Sequence, residues 1–346
     1  MKYWFIVNPA AGKGEFAKRV CVTIRDYAKE KDLDFKICLT KCKGDATRIA
    51  RDICEKYPEE KVIFACGGDG IVSEVVSGLA DYDNVTLGVI PGGTGNDFVR
   101  SFNGGEGFSS LDAQMSGTEV RLDAIHYTDG DALDRYSLNV LNMGFDCYVV
   151  TCAEKARKLP LVRSSLAYVM GVFMALSAKP GLKGEISVDG GEYEAFNLMF
   201  LLGANGSFYG GGYCPAPKAS MQDGKMDLCM VNNVSRTTLL RLLSSYRKGT
   251  FMEQKLVQKH QIAKYCRCEE IRVRFPEPSS VCGDGEIDTA REVTATICKG
   301  KISFLLPQGV TLRNNGGDDD TIGEETIFLE DVLSDSAPAE EETVVG

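Results

Sequence analysis

Short apolar runs alternate with amphipathic stretches along the first hundred residues of the chain. The runs have the length and composition of buried strands, and the stretches have the period of helices. The pattern predicts strands at Lys2–Val7, Asp34–Thr40, Lys61–Cys66 and Val85–Ile90, and helices at Glu15–Glu30, Asp45–Lys56 and Ile71–Leu79. Because strands separated by helices form parallel sheets covered on both faces, we expect an α/β fold with a doubly wound parallel N-terminal nucleotide-binding domain.

The pattern changes near Val120, where strand-like runs are broken by Gly, Asp and Asn. Helical periodicity persists near Ala153–Ala178 and Arg236–Tyr246. The predicted strands are Val120–Tyr127, Tyr136–Met143, Gly184–Val188, Tyr193–Ala204, Met226–Asn232, Ile271–Phe275 and Val293–Ile297, with a last short apolar run at Ser303–Pro307. Strands in succession predict a mainly antiparallel β second domain.

These two patterns divide the chain into domains. Its 346 residues exceed the size at which one core usually keeps growing, so two domains are expected. We place an α/β domain at residues 1–119, closed by residues 301–312, and a β-rich domain at residues 120–300. Residues 313–346 form an acidic tail with few apolar residues, and we expect disorder from residue 314 onwards.

Charge and composition exclude several classes of protein. The net charge is −10, but the tail from Arg313 holds eleven acidic residues against one arginine, which leaves 38 charges of each sign elsewhere. A neutral body lacks the basic excess of a nucleic-acid-binding protein. No run of 18 apolar residues occurs, and the opening apolar run ends at Asn8, so we expect a cytoplasmic protein. The 13 cysteines lack a Cys-x-x-Cys pair and are expected to be core thiols without zinc.

Three glycine-rich turns follow predicted strands and precede predicted helices. They are Asn8–Gly14, Gly67–Gly70 and Gly92–Asp97. Glycines at such turns let the backbone approach an anion, and the amides of the following helix N-terminus point at it. Since the carboxyl ends of parallel strands meet at one edge of a sheet, the three turns should line one phosphate-binding cleft.

Two common phosphate-binding fingerprints are absent from these turns. A Walker A loop requires a glycine where this chain has Val7 and a Ser or Thr where it has Gly14. The dinucleotide pattern that begins with Gly93 and Gly95 has Phe98 in place of its third glycine. A P-loop NTPase is excluded, and a Rossmann dehydrogenase loses support.

Longer motifs in both halves of the chain form a recognisable set. The first half holds Asn-Pro-x-x-Gly, Gly-Gly-Asp-Gly-x-x-x-Glu-Val-x-x-Gly and Pro-x-Gly-Thr-x-Asn-Asp-Phe-x-Arg, at Asn8–Gly12, Gly67–Gly78 and Pro91–Arg100. The second half adds Asn139–Asp146, Tyr209–Gly212, Pro217–Asp227 and Asp284–Glu286. Over residues 1–310 the chain resembles soluble bacterial diacylglycerol kinases, of the lipid kinase family that includes sphingosine and ceramide kinases. The chief departure is Gly44-Asp45-Ala46, where Gly-His-Ala is common.

The resemblance implies a nucleotide site and a metal site. ATP would lie between the domains, near Asn8, Pro9, Gly12, Lys13, Thr40, Gly67, Gly68, Asp69, Gly70, Thr94, Asn96 and Asp97. A structural Mg²⁺ would be held by Asp223 and the backbone carbonyls of Ser220 and Lys225, which suits its preference for oxygen ligands. From the residues alone, Lys13 is equally well explained as an exposed lysine. The stretch Leu161–Leu176 is more typical of a buried helix than of one that touches a membrane.

Phosphoryl transfer to an alcohol needs positioned phosphates, Mg²⁺ and a carboxylate that accepts the hydroxyl proton. Because the chain has two histidines, carboxylates are the expected proton acceptors. The resemblance places this base at Glu286, with Asp284 beside it, whereas the sphingosine kinase branch favours Asp69. We take Glu286 as the base and Asp69 as an organiser of magnesium and nucleotide. In isolation, Asp284-Gly285-Glu286 is typical of a hairpin turn.

Together these inferences predict an ATP- and Mg²⁺-dependent lipid kinase. It would convert diacylglycerol to phosphatidic acid and would reach this lipid peripherally, at a membrane surface. We expect no binding of nucleic acid, and the sequence does not decide whether the protein forms a homodimer. An NAD kinase shares the Gly-Gly-Asp-Gly turn, but Asn8-Pro9 and Thr94–Asp97 favour the lipid branch. A catalytically silent lipid or nucleotide sensor would have no chemical need to keep Asp69, Asp223 and Glu286.

Overall fold

The structure of the protein, a computed structural model, describes residues 2–157, 170–171, 174–175, 177–178 and 181–313. The helix predicted over Ala153–Ala178 is therefore described only in part. The stretch Leu161–Leu176 lies largely outside the described residues, and the tail from residue 314 lies wholly outside them.

The first hundred residues form an alternation of strands and helices. The strands are β1 (Lys2–Val7), β2 (Phe35–Leu39), β3 (Lys61–Gly67) and β4 (Val85–Pro91), and the helices are α1 (Glu15–Lys31), α2 (Asp45–Lys56) and α3 (Asp69–Leu79). The strands pair in parallel, in the order β2-β1-β3-β4. The hydrophobic pattern predicts each of these elements to within two residues at either end.

Helices cover both faces of this parallel sheet. Along β1, Trp4 and Ile6 belong to a buried cluster with residues of α2 and α3, whereas Phe5 and Val7 belong to a second cluster with residues of α1. Successive side chains of a strand point to opposite faces, so alternate residues enter the two clusters. Burial on both sides explains why these strands are apolar along their whole length.

Three short elements follow β4 and were not predicted from the sequence. They are α4 (Asp97–Arg100), β5 (Phe102–Asn103) and α5 (Leu111–Met115). Elements of two to five residues are too short to show a hydrophobic period, so the pattern does not distinguish them from loops.

The second half of the chain is mainly antiparallel. Its strands are β6 (Thr118–Thr128), β7 (Asp134–Ser137), β8 (Val140–Gly144), β9 (Leu182–Val188), β10 (Glu194–Ala204), β11 (Met226–Asn232), β12 (Ala263–Cys268), β13 (Glu270–Gly283), β14 (Glu286–Leu306) and β15 (Thr311–Leu312). Its described helices are α6 (Phe145–Arg157), α7 (Arg236–Lys248) and α8 (Lys255–Lys259). The sequence pattern missed the amphipathic strand β12 and the short elements α8 and β15.

Strand β14 joins the two halves into one sheet. It pairs with β13 and β6 in antiparallel fashion, and near its end Phe304 pairs in parallel with Leu87 of β4. The described residues thus form a continuous 13-stranded sheet, with β5 and β15 as a separate pair. The apolar run predicted at Ser303–Pro307 is the end of β14, and the domain boundaries inferred from the sequence stay predictions.

The prediction of one strand over Tyr136–Met143 is wrong. The structure has two strands, β7 and β8, which are separated at Leu138 and Asn139. The backbone N–H groups of these two residues donate to the carboxylate of Asp284, at 2.7 and 3.0 Å. A side chain far along the sequence therefore interrupts the strand, which a local pattern does not indicate.

Phe304→Ala should destabilise the junction between the two halves. The ring is fully buried and packs against Phe98, Phe102 and Phe108, with centroid distances of 5.3, 5.5 and 6.1 Å. Removing it leaves a cavity and should lower the free energy of unfolding by about 3–5 kcal/mol, measured by urea denaturation. The control is Val22→Ala at a position of α1 that is 53% exposed. It should change this free energy by under about 0.5 kcal/mol, and an equally small effect of Phe304→Ala would contradict the prediction.

Candidate active site

The glycine-rich turns that follow β3 and β4 touch at the carboxyl edge of the parallel sheet. The backbone N–H of Gly92 donates to the carbonyl of Gly67 at 2.7 Å. A Cβ atom added to Gly93 would lie 2.6 Å from the Cα atom of Gly68, so only glycine permits this approach. The structure therefore brings these turns together, as the strand topology predicts.

A cleft of about 580 Å³ lies between these turns and the second half of the chain. This volume is within the range of small-molecule sites. From the first half the cleft is lined by Gly68, Asp69, Gly70, Thr94 and Asp97, and from the second half by Asp146, Asp284 and Glu286, among others. Predicted nucleotide and catalytic residues from both halves thus face one space.

Two neighbouring carboxyl groups, Asp69 and Asp97, lie on the first-half side of the cleft. Asp69 Oδ1 accepts a hydrogen bond from the backbone N–H of Phe98 (3.2 Å), and Asp97 Oδ2 accepts one from that of Gly211 (2.7 Å). Burial and the nearby charge of Asp69 raise the pKa of Asp97 to about 6. Burial also raises the pKa of Asp69, although several backbone N–H groups oppose this effect. Adjacent buried carboxyls repel each other unless a cation joins them.

This pair fits the magnesium ion that accompanies a nucleotide triphosphate. Asp97 Oδ1 is buried and has no hydrogen-bond partner among the described residues, and the guanidinium Nε of Arg100 lies 3.6 Å from it. Mg²⁺ binds carboxylate oxygens and usually keeps several waters, with substrate phosphates as further ligands. Asp69 and Asp97 therefore have the chemistry to hold it beside the glycine-rich turns.

Glu286 enters the cleft from a two-residue hairpin turn. Gly283 and Glu286 are paired across the turn formed by Asp284 and Gly285, whose φ angles are 48° and 90°. Positive φ at both central residues is the mark of the tight turns that suit β-hairpins. The Glu286 side chain is 15% exposed, and a Cβ atom added to Gly70 would lie 3.7 Å from its Oε1 atom. The carboxylate is thus held against the Gly67–Gly70 turn.

Asp284 supports this hairpin from within the protein. Its carboxylate accepts hydrogen bonds from the Ser137 hydroxyl (2.8 Å) and from the backbone N–H groups of Leu138 (2.7 Å), Asn139 (3.0 Å) and Val140 (2.9 Å). Burial raises its pKa, while these four donors oppose the shift. Because both oxygens already have donors, this arrangement favours a role in positioning Glu286, and the catalytic role inferred for Asp284 stays a prediction.

Several residues predicted to contact the nucleotide do not line the cleft: Asn8, Pro9, Gly12, Thr40, Gly67 and Asn96. Two of them shape the turns, because Asn8 Oδ1 accepts from the backbone N–H of Ala10 (2.9 Å) and Asn96 Oδ1 accepts from that of Gly93 (3.0 Å). The side chain of Lys13 lies outside what the structure describes. Its phosphate contact, like those of the other six residues, stays a prediction.

Asp223, the predicted side-chain ligand of a structural Mg²⁺, is paired with an arginine in the structure. Asp223 Oδ1 accepts a hydrogen bond from the backbone N–H of Lys225 (2.8 Å), and Oδ2 is bonded to the guanidinium of Arg267. The same guanidinium lies 4.0 Å from the buried carboxylate of Asp227. Arginine thus supplies the positive charge here, and both Asp223 oxygens have donors. The metal set inferred for Ser220, Asp223 and Lys225 stays a prediction, and it takes no part in the mechanism proposed below.

One buried carboxyl in the cleft, Asp146, was not selected as a site residue from the sequence. It lies in the first turn of α6, and its Oδ2 atom accepts a hydrogen bond from the Tyr209 hydroxyl at 2.7 Å. That hydroxyl is also 2.8 Å from the hydroxyl of Tyr246. Burial raises the pKa of Asp146 to about 7. In the sequence, Asp146 is marked by its position at the end of the Asn139–Asp146 motif.

A narrow apolar pocket opens beside Asp146. Its volume is about 60 Å³, and its apolar wall includes Phe145, Val149, Val231, Leu239, Leu242 and Phe251. Asp146, Tyr209 and Tyr213 line both this pocket and the cleft. The pocket has room for a short part of an alkyl chain, and its residues could not be grouped from the sequence because they come from separate strands and helices.

Two family models match most of the chain between them. The model described as "Diacylglycerol kinase catalytic domain" matches residues 2–127. The model described as "YegS C-terminal NAD kinase beta sandwich-like domain" matches residues 139–306. The two matches agree with a two-domain α/β architecture in which a β-sandwich-like domain follows the catalytic domain.

Curated relatives and a solved structure support the same assignment. The diacylglycerol kinase of Bacillus subtilis (strain 168) is 29% identical over 285 residues, covering 81% of this chain and 88% of that protein. The diacylglycerol kinase of Mycobacterium tuberculosis (strain H37Rv) is 31% identical over 250 residues, covering 72% and 79%. A crystal structure of a diacylglycerol kinase from Bacillus anthracis (strain Sterne) matches with a TM-score of 0.61 at 21% identity, covering 88% of this chain and 96% of that one. This last likeness shows a shared fold.

The family models and the curated relatives place the chain in the lipid kinase class. The chain belongs to the family of bacterial diacylglycerol kinases. Within the described part of the chain, no helix is long and apolar enough to cross a membrane.

Asp146→Asn should change how stability depends on pH. Burial raises the pKa of this carboxyl from its ordinary 3.8 to about 7, so the folded protein holds the proton more tightly than the unfolded chain. The carboxyl therefore stabilises the fold fully below about pH 4, and this contribution is lost as the pH rises to about 7. Asparagine keeps the shape without the charge. The free energy of unfolding of the variant should equal that of wild type near pH 4 and should exceed it at pH 8 by at most about 4 kcal/mol.

Urea unfolding at several pH values between about 5 and 8 measures this difference. The matched control is Asp83→Asn, which removes a carboxylate at an exposed position of the loop between α3 and β4. A difference between Asp146→Asn and wild type that stays constant across this range would contradict the prediction.

Proposed function

We propose that the protein is an ATP- and Mg²⁺-dependent kinase that phosphorylates diacylglycerol to phosphatidic acid. The observation that carries this proposal is the position of Glu286, whose carboxylate lies against the Gly67–Gly70 turn at the end of β3. A proton acceptor is thereby set beside a turn suited to phosphate. The names of the relatives in Bacillus subtilis and Mycobacterium tuberculosis support diacylglycerol as the acceptor.

The donor side of the reaction depends on positioning. The glycine-rich turns would hold the phosphates through backbone N–H groups, and Asp69 and Asp97 would hold Mg²⁺. The ion would supply positive charge beside the phosphates. The role of Asp69 and Asp97 would therefore be to hold this charge on the same side of the cleft as the glycine-rich turns.

The acceptor side of the reaction depends on Glu286. The lipid hydroxyl oxygen forms a bond to the γ-phosphorus while the bond from that phosphorus to the leaving oxygen of ADP breaks. The hydroxyl proton passes to the Glu286 carboxylate, and Asp284 keeps the hairpin that carries this group in place. The products are ADP and a phosphorylated lipid.

An apolar acceptor is supported by the pocket next to Asp146. The pocket shares Asp146, Tyr209 and Tyr213 with the cleft, so a hydroxyl near Glu286 and an alkyl segment in the pocket can belong to one molecule. A dinucleotide acceptor would leave this apolar wall exposed to water. We further propose that the protein takes its lipid peripherally, from a membrane surface.

Transfer of labelled phosphate from ATP tests this function directly. Purified protein with Mg²⁺ should label detergent-dispersed diacylglycerol in preference to phosphatidylglycerol, sphingosine, ceramide and undecaprenol, and it should leave NAD unlabelled. Label on another lipid would keep the class and change the substrate. Label on NAD alone would indicate an NAD kinase, and ATP binding without any transfer would indicate a silent sensor.

Glu286→Gln should abolish this transfer while ATP binding is retained. The amide keeps the size of the side chain but does not accept the proton, so turnover should fall by at least about a hundredfold. The same labelling assay and a calorimetric ATP titration measure the two properties. Glu106→Gln, at an exposed position outside the cleft, should behave as wild type. A Glu286→Gln protein with normal turnover would show that another group accepts the proton.

A further inference from the structure

An ion pair connects the first half of the chain to Glu286. Lys43 lies in the loop between β2 and α2, and its Nζ atom is 2.6 Å from Glu286 Oε2. The Lys43 side chain is 67% exposed, so one end of this pair is open to solvent. Neither the sequence motifs nor the transfer chemistry proposed above uses Lys43.

The loop that carries Lys43 is attached to α3 by Glu74. The Glu74 carboxylate accepts hydrogen bonds from the backbone N–H groups of Gly44 (2.9 Å) and Ala46 (3.0 Å). Its backbone carbonyl accepts another from the Thr47 hydroxyl at 2.8 Å. Glu74 is the glutamate of the Gly-Gly-Asp-Gly-x-x-x-Glu motif. The motif thus includes the residue that fixes the start of α2, and with it Lys43, against α3.

The spacing of the motif brings Lys43 to the phosphate turn. Gly70 and Glu74 are four residues apart on α3, so they lie on the same face of this helix. Glu286 Oε1 lies over Gly70, and the Lys43 loop is bound at Glu74 one turn further along. The ammonium group of Lys43 is therefore held beside the turn at which the phosphates of ATP are proposed to bind.

Two anions would compete for this ammonium group when ATP is present. A triphosphate carries more negative charge than one carboxylate, and lysine is a common phosphate ligand. While the pair is made, the ammonium group occupies one oxygen of the carboxylate that is proposed to accept the hydroxyl proton. That oxygen becomes available to the acceptor hydroxyl once Lys43 has left it.

We propose that Lys43 changes partner during the reaction, from Glu286 in the nucleotide-free protein to the γ-phosphate of bound ATP. The nucleotide thereby frees the proton acceptor only when the phosphoryl donor is in place. This exchange rests on the proposed function, since it takes ATP as the donor and Glu286 as the base. It involves a change of ion pairs and no covalent step.

Nucleotide affinities of four proteins test the exchange. They are wild type, Lys43→Met, Glu286→Gln and the double variant, each titrated calorimetrically with Mg²⁺-ATP and Mg²⁺-ADP in the absence of lipid. Glu286→Gln should tighten ATP binding about fivefold, because the ion pair no longer competes and such a pair is weak. Lys43→Met should weaken ATP binding about tenfold, because a charge-assisted contact to phosphate is lost. ADP, which lacks the γ-phosphate, should bind all four proteins alike.

The double variant gives the decisive comparison. In the Lys43→Met background, Glu286→Gln should no longer tighten ATP binding by the factor seen in wild type. Equal tightening in both backgrounds would mean that Glu286 simply repels the phosphates, and the exchange would be wrong. Absence of tightening in the wild-type background would overturn it as well.

Two control variants separate this role from a structural one. Lys43→Arg keeps the charge and should keep the coupling to Glu286. Lys41→Met removes a lysine side chain of the same exposed loop and should leave ATP affinity unchanged. Urea unfolding of Lys43→Met should lower the free energy of unfolding by no more than about 1 kcal/mol, because the ion pair is open to solvent at its lysine end.

The nucleotide titrations and the phosphate-transfer assay together distinguish a failure of the Lys43 exchange from a failure of the proposed function. Phosphate transfer to lipid by wild type, without coupling between Lys43 and Glu286, would overturn the exchange alone. Coupling in the titrations without transfer to any acceptor would overturn the proposed function, while the competition of Glu286 and phosphate for Lys43 would stand.

Discussion

The arrangement of the cleft depends on one buried carboxylate, that of Asp284. It accepts four hydrogen bonds from residues 137–140, where β7 ends and β8 begins, and its own backbone N–H donates to the carbonyl of Val140 at 3.0 Å. A charge is tolerated in such a place only where donors replace the water it loses. The bonds also compensate for a positive φ at a residue other than glycine. Because Glu286 is two residues away in the same turn, its position is tied to these contacts.

The carboxyl groups around the cleft are costly to ionise unless cations lie nearby. Asp69, Asp97 and Asp146 all have pKa values raised by burial, which measures the cost of placing charge there without a partner. The magnesium nucleotide proposed above would lower this cost, since it would bring positive charge to Asp69 and Asp97 together with phosphates for the glycine-rich turns. Glu286 differs from these residues in having a lysine partner within the chain. The protein thus supplies a lysine at Glu286 and a guanidinium 3.6 Å from Asp97, and the metal would supply further positive charge for Asp69 and Asp97.

The sequence was sufficient for the framework of the fold but not for every element. Strands β1, β3 and β4 are apolar along their whole length and lie between helices with a clear amphipathic period, so their boundaries follow from local pattern. The break between β7 and β8 does not, because the groups that take its backbone hydrogen bonds lie on the hairpin at Asp284. Strand β12 was missed because it lies at a partly exposed edge of the sheet. Its polar residues, among them Lys264 and Arg267, obscure the hydrophobic pattern of a strand.

For the candidate site too, some features could be found from the local sequence, whereas others depend on contacts between distant segments. The glycine-rich turns are marked by residue type and spacing, whereas Glu286 was selected through the resemblance to lipid kinases, because Asp284-Gly285-Glu286 by itself is typical of a hairpin turn. The partners that decide what each group can do come from distant segments: Arg267 reaches Asp223, Lys43 reaches Glu286, and Gly44 reaches Glu74. Polar contacts of this kind have no period in the sequence. Glu74 illustrates the consequence. Its place in a phosphate-turn motif suggests a chemical role, whereas its hydrogen bonds fix the loop that holds Lys43 beside Glu286.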